Sequence, residues 1–219
     1  MTSTWFITGT DTGCGKTTLT VALARFLADH GRVACFKPVA SGSEPGDDGR
    51  LYNDDALQLQ KAASVELPYA VVNPITLAPA IAPHIAAQQA GVAIEPAQLA
   101  ADLMAVPADW RLVEGAGGWM VPLSDKAMTK DLAQAVGGQV VLVIGLRLGA
   151  INHGLLSARA IESDGCQLVG WIANIMDADM PVLAENISTL SRYLGPPLAH
   201  YRNGQIEQAG GLERLIGNR

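Results

Sequence analysis

The hydrophobic pattern switches repeatedly between two periods. Trp5-Phe6-Ile7-Thr8 is a short, nearly continuous apolar run and reads as a buried strand. Over residues 17–28 the period lengthens, and Leu19, Leu23, Ala24 and Leu27 share one helical face that His30-Gly31 closes. Further strands are expected at 33–36, 110–113, 140–144 (the most apolar run) and 168–174. Helical segments are expected between them near 55–63, 96–104, 130–136, 153–163 and 182–193. Alternation of this kind predicts an α/β fold with a doubly wound, mostly parallel sheet and helices on both faces. No internal repeat or long linker interrupts it, so residues 1–219 are expected to form one domain. The stretch 41–53, rich in Gly, Pro, Ser and Asp, is the longest plain loop, open to reading as a solvated turn or as a lid beside a site. From Pro196 onward the pattern is weak.

Composition narrows the function. The chain is 49% apolar and 16% charged, a balance that supports a large core and excludes disorder. Its net charge of −6 is a poor match for nucleic acid. The longest strongly apolar run is far too short to span a bilayer, and the first ten residues lack a basic and then apolar leader pattern. A soluble cytoplasmic protein with no membrane partner is therefore expected. Cys14, Cys35 and Cys166 are odd in number and form no CxxC pair, which suggests neither a disulfide framework nor a zinc site. His84, His153 and His200 lack metal-ligand spacing and read as core or surface residues.

The clearest chemistry lies near the start. Gly9-Thr10-Asp11-Thr12-Gly13-Cys14-Gly15-Lys16-Thr17 follows a predicted strand and opens a predicted helix. In that context glycines let backbone N–H groups surround phosphate oxygens, and the helix N-terminus adds unpaired donors. Lys16 can reach the β- and γ-phosphates as a point charge, and the Thr17 hydroxyl is placed for magnesium. The first glycine sits one position early, at Gly9, with Thr10 where a phosphate loop usually has glycine. A second acidic element follows the strand at 110–113: Glu114, then Gly115-Ala116-Gly117-Gly118. A carboxylate at the carboxyl end of a buried parallel strand suits a metal, and the glycines allow a ligand to approach.

Only five lysines occur, and Lys37 ends the strand at 33–36, next to the expected phosphate loop. A solvated lysine and one that stabilises charge near a γ-phosphate are both open readings. In Asn53-Asp54-Asp55, Asp54 reads as the helix N-cap, which leaves Asp55 free for another role such as a second metal carboxylate. Trp119 and Trp171 read as packing residues.

Together these segments resemble the dethiobiotin synthetase family: 9–17, Lys37-Pro-Val-Ala-Ser-Gly-Ser43, Asp55-Ala-Leu57, Val113-Glu-Gly-Ala-Gly-Gly-Trp119 with Pro122-Leu123, Leu148-Gly-Ala-Ile-Asn-His153, and Gly170-Trp-Ile-Ala-Asn174. The resemblance implies a P-loop NTPase-like fold and an ATP- and magnesium-dependent cyclo-ligase of biotin synthesis. Its substrates would be diaminopelargonic acid, carbon dioxide and ATP, joined through a carbamate and a carbamic–phosphoric anhydride. It implies catalytic roles for Lys16, Lys37 and Thr12, and magnesium ligation by Thr17, Asp55 and Glu114. ATP would meet Gly13, Cys14, Gly15, Lys16, Thr17, Thr18, Glu114, Gly115, Ala116 and Gly117, with Asn174 and Ile175 near the adenine. The diamine would meet Thr12, Lys37, Ser41 and Gly118, and its carboxylate Gly149, Ala150, Ile151 and Asn152 of a neighbouring subunit, which implies a homodimer. Two features depart from the family pattern: Gly13 stands where some members have an acid, and 198–204 lacks a Pro-rich segment beside the purine.

Three other readings share parts of this pattern. Cobyrinic-acid-type amidating ligases share such a loop but usually carry a glutaminase domain, for which this chain has no length. ParA-like switch ATPases carry an extra early lysine in the loop, and 9–14 contains none. A small-molecule kinase needs a general base that the sequence does not offer. Turnover dependent on a diamine and bicarbonate separates the ligase from all three.

Overall fold

The computed structural model describes residues 2–177 and 179–217. The first half holds β1 (Ser3–Gly9), α1 (Lys16–Ala28), β2 (Val33–Phe36), β3 (Val39–Ser41), β4 (Glu44–Pro45), β5 (Leu51–Tyr52), α2 (Asp54–Ala62), α3 (Tyr69–Val72), β6 (Ile75–Leu77), α4 (Pro83–Ala90) and α5 (Pro96–Met104). The second holds β7 (Trp110–Gly118), α6 (Thr129–Ala135), β8 (Gln139–Leu146), α7 (Ala150–Ser163), β9 (Gln167–Ile175), α8 (Leu183–Leu194), β10 (Ala199–Arg202), β11 (Gln205–Glu207) and α9 (Gly210–Gly217).

Seven strands form the main sheet in the order β11-β10-β9-β8-β1-β7-β2. All its pairings are parallel except β10 with β11. Both faces are covered, as parallel strands require. Trp5, Ile7, Val141 and Val143 face one apolar layer with Leu19, Leu23 and Leu27 of α1 and Leu212 of α9. Phe6, Leu142 and Ile144 face the other, with Leu103 of α5, Leu132 of α6, Ile161 of α7 and Leu190 of α8. Burial on both faces is why these strands read as apolar runs rather than as strict alternation.

The expected strands and helices are all present, with ends shifted by a few residues. The doubly wound parallel sheet stands as expected. Two local expectations need correction. The N-cap of α2 is Asn53, whose side chain accepts from Ala56 N, and Asp54 and Asp55 both lie in the first turn. An uncharged amide can cap a helix while the acids after it still meet the positive helix end. The 41–53 loop is not plain: β4 and β5 pair as a small antiparallel ribbon. The weakly patterned C-terminal part forms a hairpin and a helix, because the sheet edge and Leu198 give them a surface to pack on.

Candidate functional site

Parallel pairing brings the carboxyl ends of β1, β2, β7, β8 and β9 to one edge, and the predicted residues gather there. The 10–15 connection runs from β1 into α1. Gly15 caps that helix at φ 91°, a conformation L side chains rarely adopt, and a Cβ there would collide with Asn174 Nδ2. Asn174, near the end of β9, donates from Nδ2 to Cys14 O at 2.8 Å and so braces the loop from the neighbouring strand end. Ile175 is buried beside it. Lys16 folds back over the loop and donates to Asp11 O at 2.9 Å. It is only 6% exposed, and burial holds its pKa below the ordinary lysine value.

Beside the loop, Lys37, Asp55, Glu114 and Thr17 converge from four elements of the chain. Lys37 follows β2, Asp55 lies in the first turn of α2, Glu114 stands inside β7 opposite Ile7 of β1, and Thr17 opens α1. Lys37 Nζ donates to Glu114 Oε1 at 2.6 Å and to Asp55 Oδ2 at 2.9 Å. Thr17 Oγ1 donates to the same Glu114 oxygen at 2.7 Å. Burial alone would push the Lys37 ammonium down, but the two carboxylates outweigh it and hold its pKa above the ordinary value. Burial likewise works to raise Asp55, yet Lys37 prevails and keeps its carboxyl below the usual aspartate range.

The oxygens of this group suit a hard divalent cation. Glu114 is fully buried, and its Oε2 has no hydrogen-bond partner. Among the described residues no three His, Cys, Asp or Glu gather to hold a metal by themselves. Two carboxylates and a hydroxyl are nevertheless the kind of partial shell magnesium uses when phosphates and water complete it.

Thr12, Gly13, Gly15, Lys16, Thr17, Thr18, Lys37, Asp55 and Gly117 line one open cavity of about 300 Å³. A second, of about 430 Å³, adjoins it through Thr12 and includes Gly118, Trp119, and Leu156 and Ser157 of α7. Hollows of about 470 and 580 Å³ lie elsewhere, but neither contains a lysine or a residue of the phosphate loop. Glu114, Gly115 and Ala116 sit in β7 behind the first cavity, and Cys14 is buried under the loop. Ser41 and residues 149–152 line neither cavity. The Ser41 Oγ is buried without a hydrogen-bond partner. Gly149 caps α7 at φ 94°, Ala150 is buried, and Asn152 is exposed.

Several neighbours of the site left no readable signal in the sequence. Arg147 pairs with Asp11 of the loop. Trp119 is a packing residue with one polar contact: its Nε1 donates to Asp164 Oδ2 at 2.8 Å, and Lys130 holds the other oxygen at 2.6 Å. Asn73 donates to Lys37 O at 2.5 Å. Arg147, Lys130, Asp164 and Asn73 sit in no motif, and only the fold brings each to its partner.

The chain is similar to known proteins over most of its length. A family model described as "AAA domain" matches residues 3–217. The ATP-dependent dethiobiotin synthetase BioD of Pseudomonas aeruginosa (strain LESB58) is 50% identical over 197 residues, covering 88% of this chain and 86% of its own. ATP-dependent dethiobiotin synthetase BioD 1 of Escherichia coli O157:H7 is 45% identical over 201 residues, covering 90% and 89%. Among solved structures, the septum site-determining protein MinD of Pyrococcus horikoshii OT3 with Mg-ADP superposes with a TM-score of 0.55 at 16% identity, covering 91% of this chain and 81% of that one. The cell division protein FtsY of Thermotoga maritima gives 0.54 at 19%, covering 91% and 60%. These two likenesses show the P-loop NTPase fold alone.

Proposed function

The chain belongs to the ATP-dependent dethiobiotin synthetases, and on that premise we propose how its strand-end cluster carries out the reaction. The activity is that of a cyclo-ligase that uses ATP to make dethiobiotin. The observation that carries the proposed mechanism is the Lys37 ammonium, held between Glu114 and Asp55 at the mouth of the phosphate loop.

In this reading the loop amides of 13–18 and Lys16 cradle the ATP phosphates in the smaller cavity, with 114–117 behind them. Asn174 and Ile175 border the base. Diaminopelargonic acid lies in the adjoining cavity against Thr12 and Gly118. One amine takes up carbon dioxide as a carbamate and loses a proton. A carbamate oxygen attacks the γ-phosphorus, the bond to ADP breaks, and a carbamic–phosphoric anhydride forms. The second amine attacks the carbamoyl carbon, the carbon–oxygen bond to phosphate breaks, and the amine gives up a proton as the ureido ring closes. Lys37 follows the end of β2 and Lys16 opens α1, so they can flank the anionic oxygens that gain charge in the first displacement. Thr12, shared by both cavities, is suited to orient the carbamate. Thr17, Asp55 and Glu114 would hold magnesium, which would supply neutralisation of phosphate charge when bound.

A homodimer belongs to the same reading. The start of α7, residues 149–152, would receive the substrate carboxylate of a second copy, as helix N-termini receive anions. The Leu148 beside it is 98% exposed and Leu156 60%, an apolar surface that a second copy would cover. Residues 1–219 act as one ligase domain, and the site is cytoplasmic. No helix among the described residues is long and apolar enough to cross a membrane.

The test is phosphate release together with mass detection of a cyclic urea. Both should require diaminopelargonic acid, bicarbonate and magnesium. ATP hydrolysis without the diamine, and no cyclic product, would instead identify a switch ATPase.

A further inference from the structure

Lys37, just past the end of β2, and Asp55, in the first turn of α2, reach each other across 18 positions of the chain. The geometry of their ion pair therefore depends on what fixes the two backbones relative to one another. The single turn α3 does this from both sides. Lys37 N donates to Val72 O at 2.9 Å, and Asn73 Nδ2 donates to Lys37 O at 2.5 Å. Both backbone polar groups of the lysine are thus held by two adjacent residues at the end of α3. Val72 and Asn73 are buried, at 1% and 2% exposure, so water offers those groups little alternative.

The start of α3 holds the other partner. Asn53 caps α2, the helix whose first turn carries Asp55. In a capping box, a Glu or Gln at the third helical position accepts the backbone N–H of the cap. Here that position is Ala56, which cannot do so. The Tyr69 hydroxyl takes its place: Asn53 N donates to Tyr69 Oη at 2.7 Å. The same hydroxyl donates onward to Asn73 Oδ1 at 2.9 Å. A directed chain of hydrogen bonds therefore runs from the cap of the Asp55 helix through Tyr69 and Asn73 to the carbonyl of Lys37.

We propose that Tyr69 and Asn73 are positioning residues that set the Lys37 ammonium against Asp55 for phosphoryl transfer. The proposal rests on the ligase reading above. Neither residue lines the phosphate or diamine cavity, so they act through Lys37 and Asp55 rather than on substrate. Loss of the middle link lets the two segments drift, and small misplacements of a charge-stabilising group cost rate more than they cost nucleotide binding.

The experiment uses the full chain and four variants. Tyr69→Phe keeps the ring and removes the bridging hydroxyl. Tyr52→Phe is the control: its ring packs on Tyr69 with centroids 4.7 Å apart, but its hydroxyl donates only to the exposed Asp48. Lys37→Gln and the double variant Tyr69→Phe/Lys37→Gln complete a cycle. Tyr69→Phe is expected to lower kcat about tenfold while KM for ATP stays within about twofold. Tyr52→Phe should match wild type. In the Lys37→Gln background, Tyr69→Phe should add no further loss, because the group it positions is gone. A wild-type kcat for Tyr69→Phe, or a loss that multiplies in full with Lys37→Gln, overturns the proposal. The wild-type control separates the two claims: absence of cyclic product there refutes the ligase reading and this proposal with it, whereas normal product with an unchanged Tyr69→Phe refutes the relay alone.

Discussion

Lys37 Nζ stands 2.6 Å from Glu114 Oε1, although the two residues are 77 positions apart, one just past the end of β2 and the other in β7. The register of β2 with β7 explains the meeting: Phe36 pairs with Val113, so the residues that follow each stand side by side at the edge of the sheet. A full cation and a full anion, both buried, hold one another beside the phosphate loop, and Asp55 supplies a second, more exposed counter-charge. The arrangement keeps the ammonium charged where phosphate and carbamate oxygens would gather.

Replacing Lys37 with Gln keeps much of the length and removes that charge. The rate of cyclic urea formation should fall by about two orders of magnitude or more, in line with loss of a group that stabilises transition-state charge. Nucleotide affinity, measured by calorimetry with ADP and magnesium, should change much less, since Lys16 and the loop amides remain. A variant as fast as wild type would remove Lys37 from the catalytic set.

Glu114→Gln should raise the magnesium concentration needed for half-maximal activity by at least about tenfold, because a hard cation loses a charged oxygen. It should also destabilise the free protein, by on the order of 1–3 kcal/mol in urea unfolding, because a buried ammonium loses its nearest anion. An unchanged magnesium dependence would place Glu114 outside the metal shell.

The protein should be a dimer by mass measurement at assay concentration. Leu148→Asp should shift it toward monomer and raise KM for the diamine about tenfold, by putting a charge into an apolar contact. ATP affinity should hold. A fully active wild-type monomer would rule out a site shared between copies.

Asp164 offers a pH test away from the phosphates. The hydrogen bond from Lys130, with that from Trp119, holds its carboxyl below the ordinary aspartate value of 3.8. A group depressed in the folded state adds stability above its unfolded value and loses it as pH falls through the folded value. Wild type should therefore melt about 2 °C above Asp164→Asn at both pH 7 and pH 5. The gap should close below pH 3.8. A gap that does not narrow as pH falls below 3.8 would show that the asparagine perturbs packing rather than charge.

Much of this was legible in the chain itself. Local periods marked β1, α1, β2 and α5, because an apolar face repeats over several turns or an apolar run is bounded by turn residues. The phosphate loop was legible because its glycines, lysine and threonine are contiguous and do one job. The relatives' names agree with the family those motifs resemble. Short elements were not legible: β3 and β6 have three residues each, too few to show a period, and exist only because they pair with one another. The sequence could nominate Lys37, Asp55 and Glu114 one by one, each with a bland reading beside the functional one. Strand order placed β7 between β1 and β2 and brought the three side chains within hydrogen-bond reach. The cap of α2 was likewise decided in three dimensions: Asn53 prevails over Asp54 because Tyr69, sixteen residues on, accepts the Asn53 backbone N–H. Contacts between distant segments carry no local pattern, so the chain determined which groups were available and the packing of the sheet determined which of them meet.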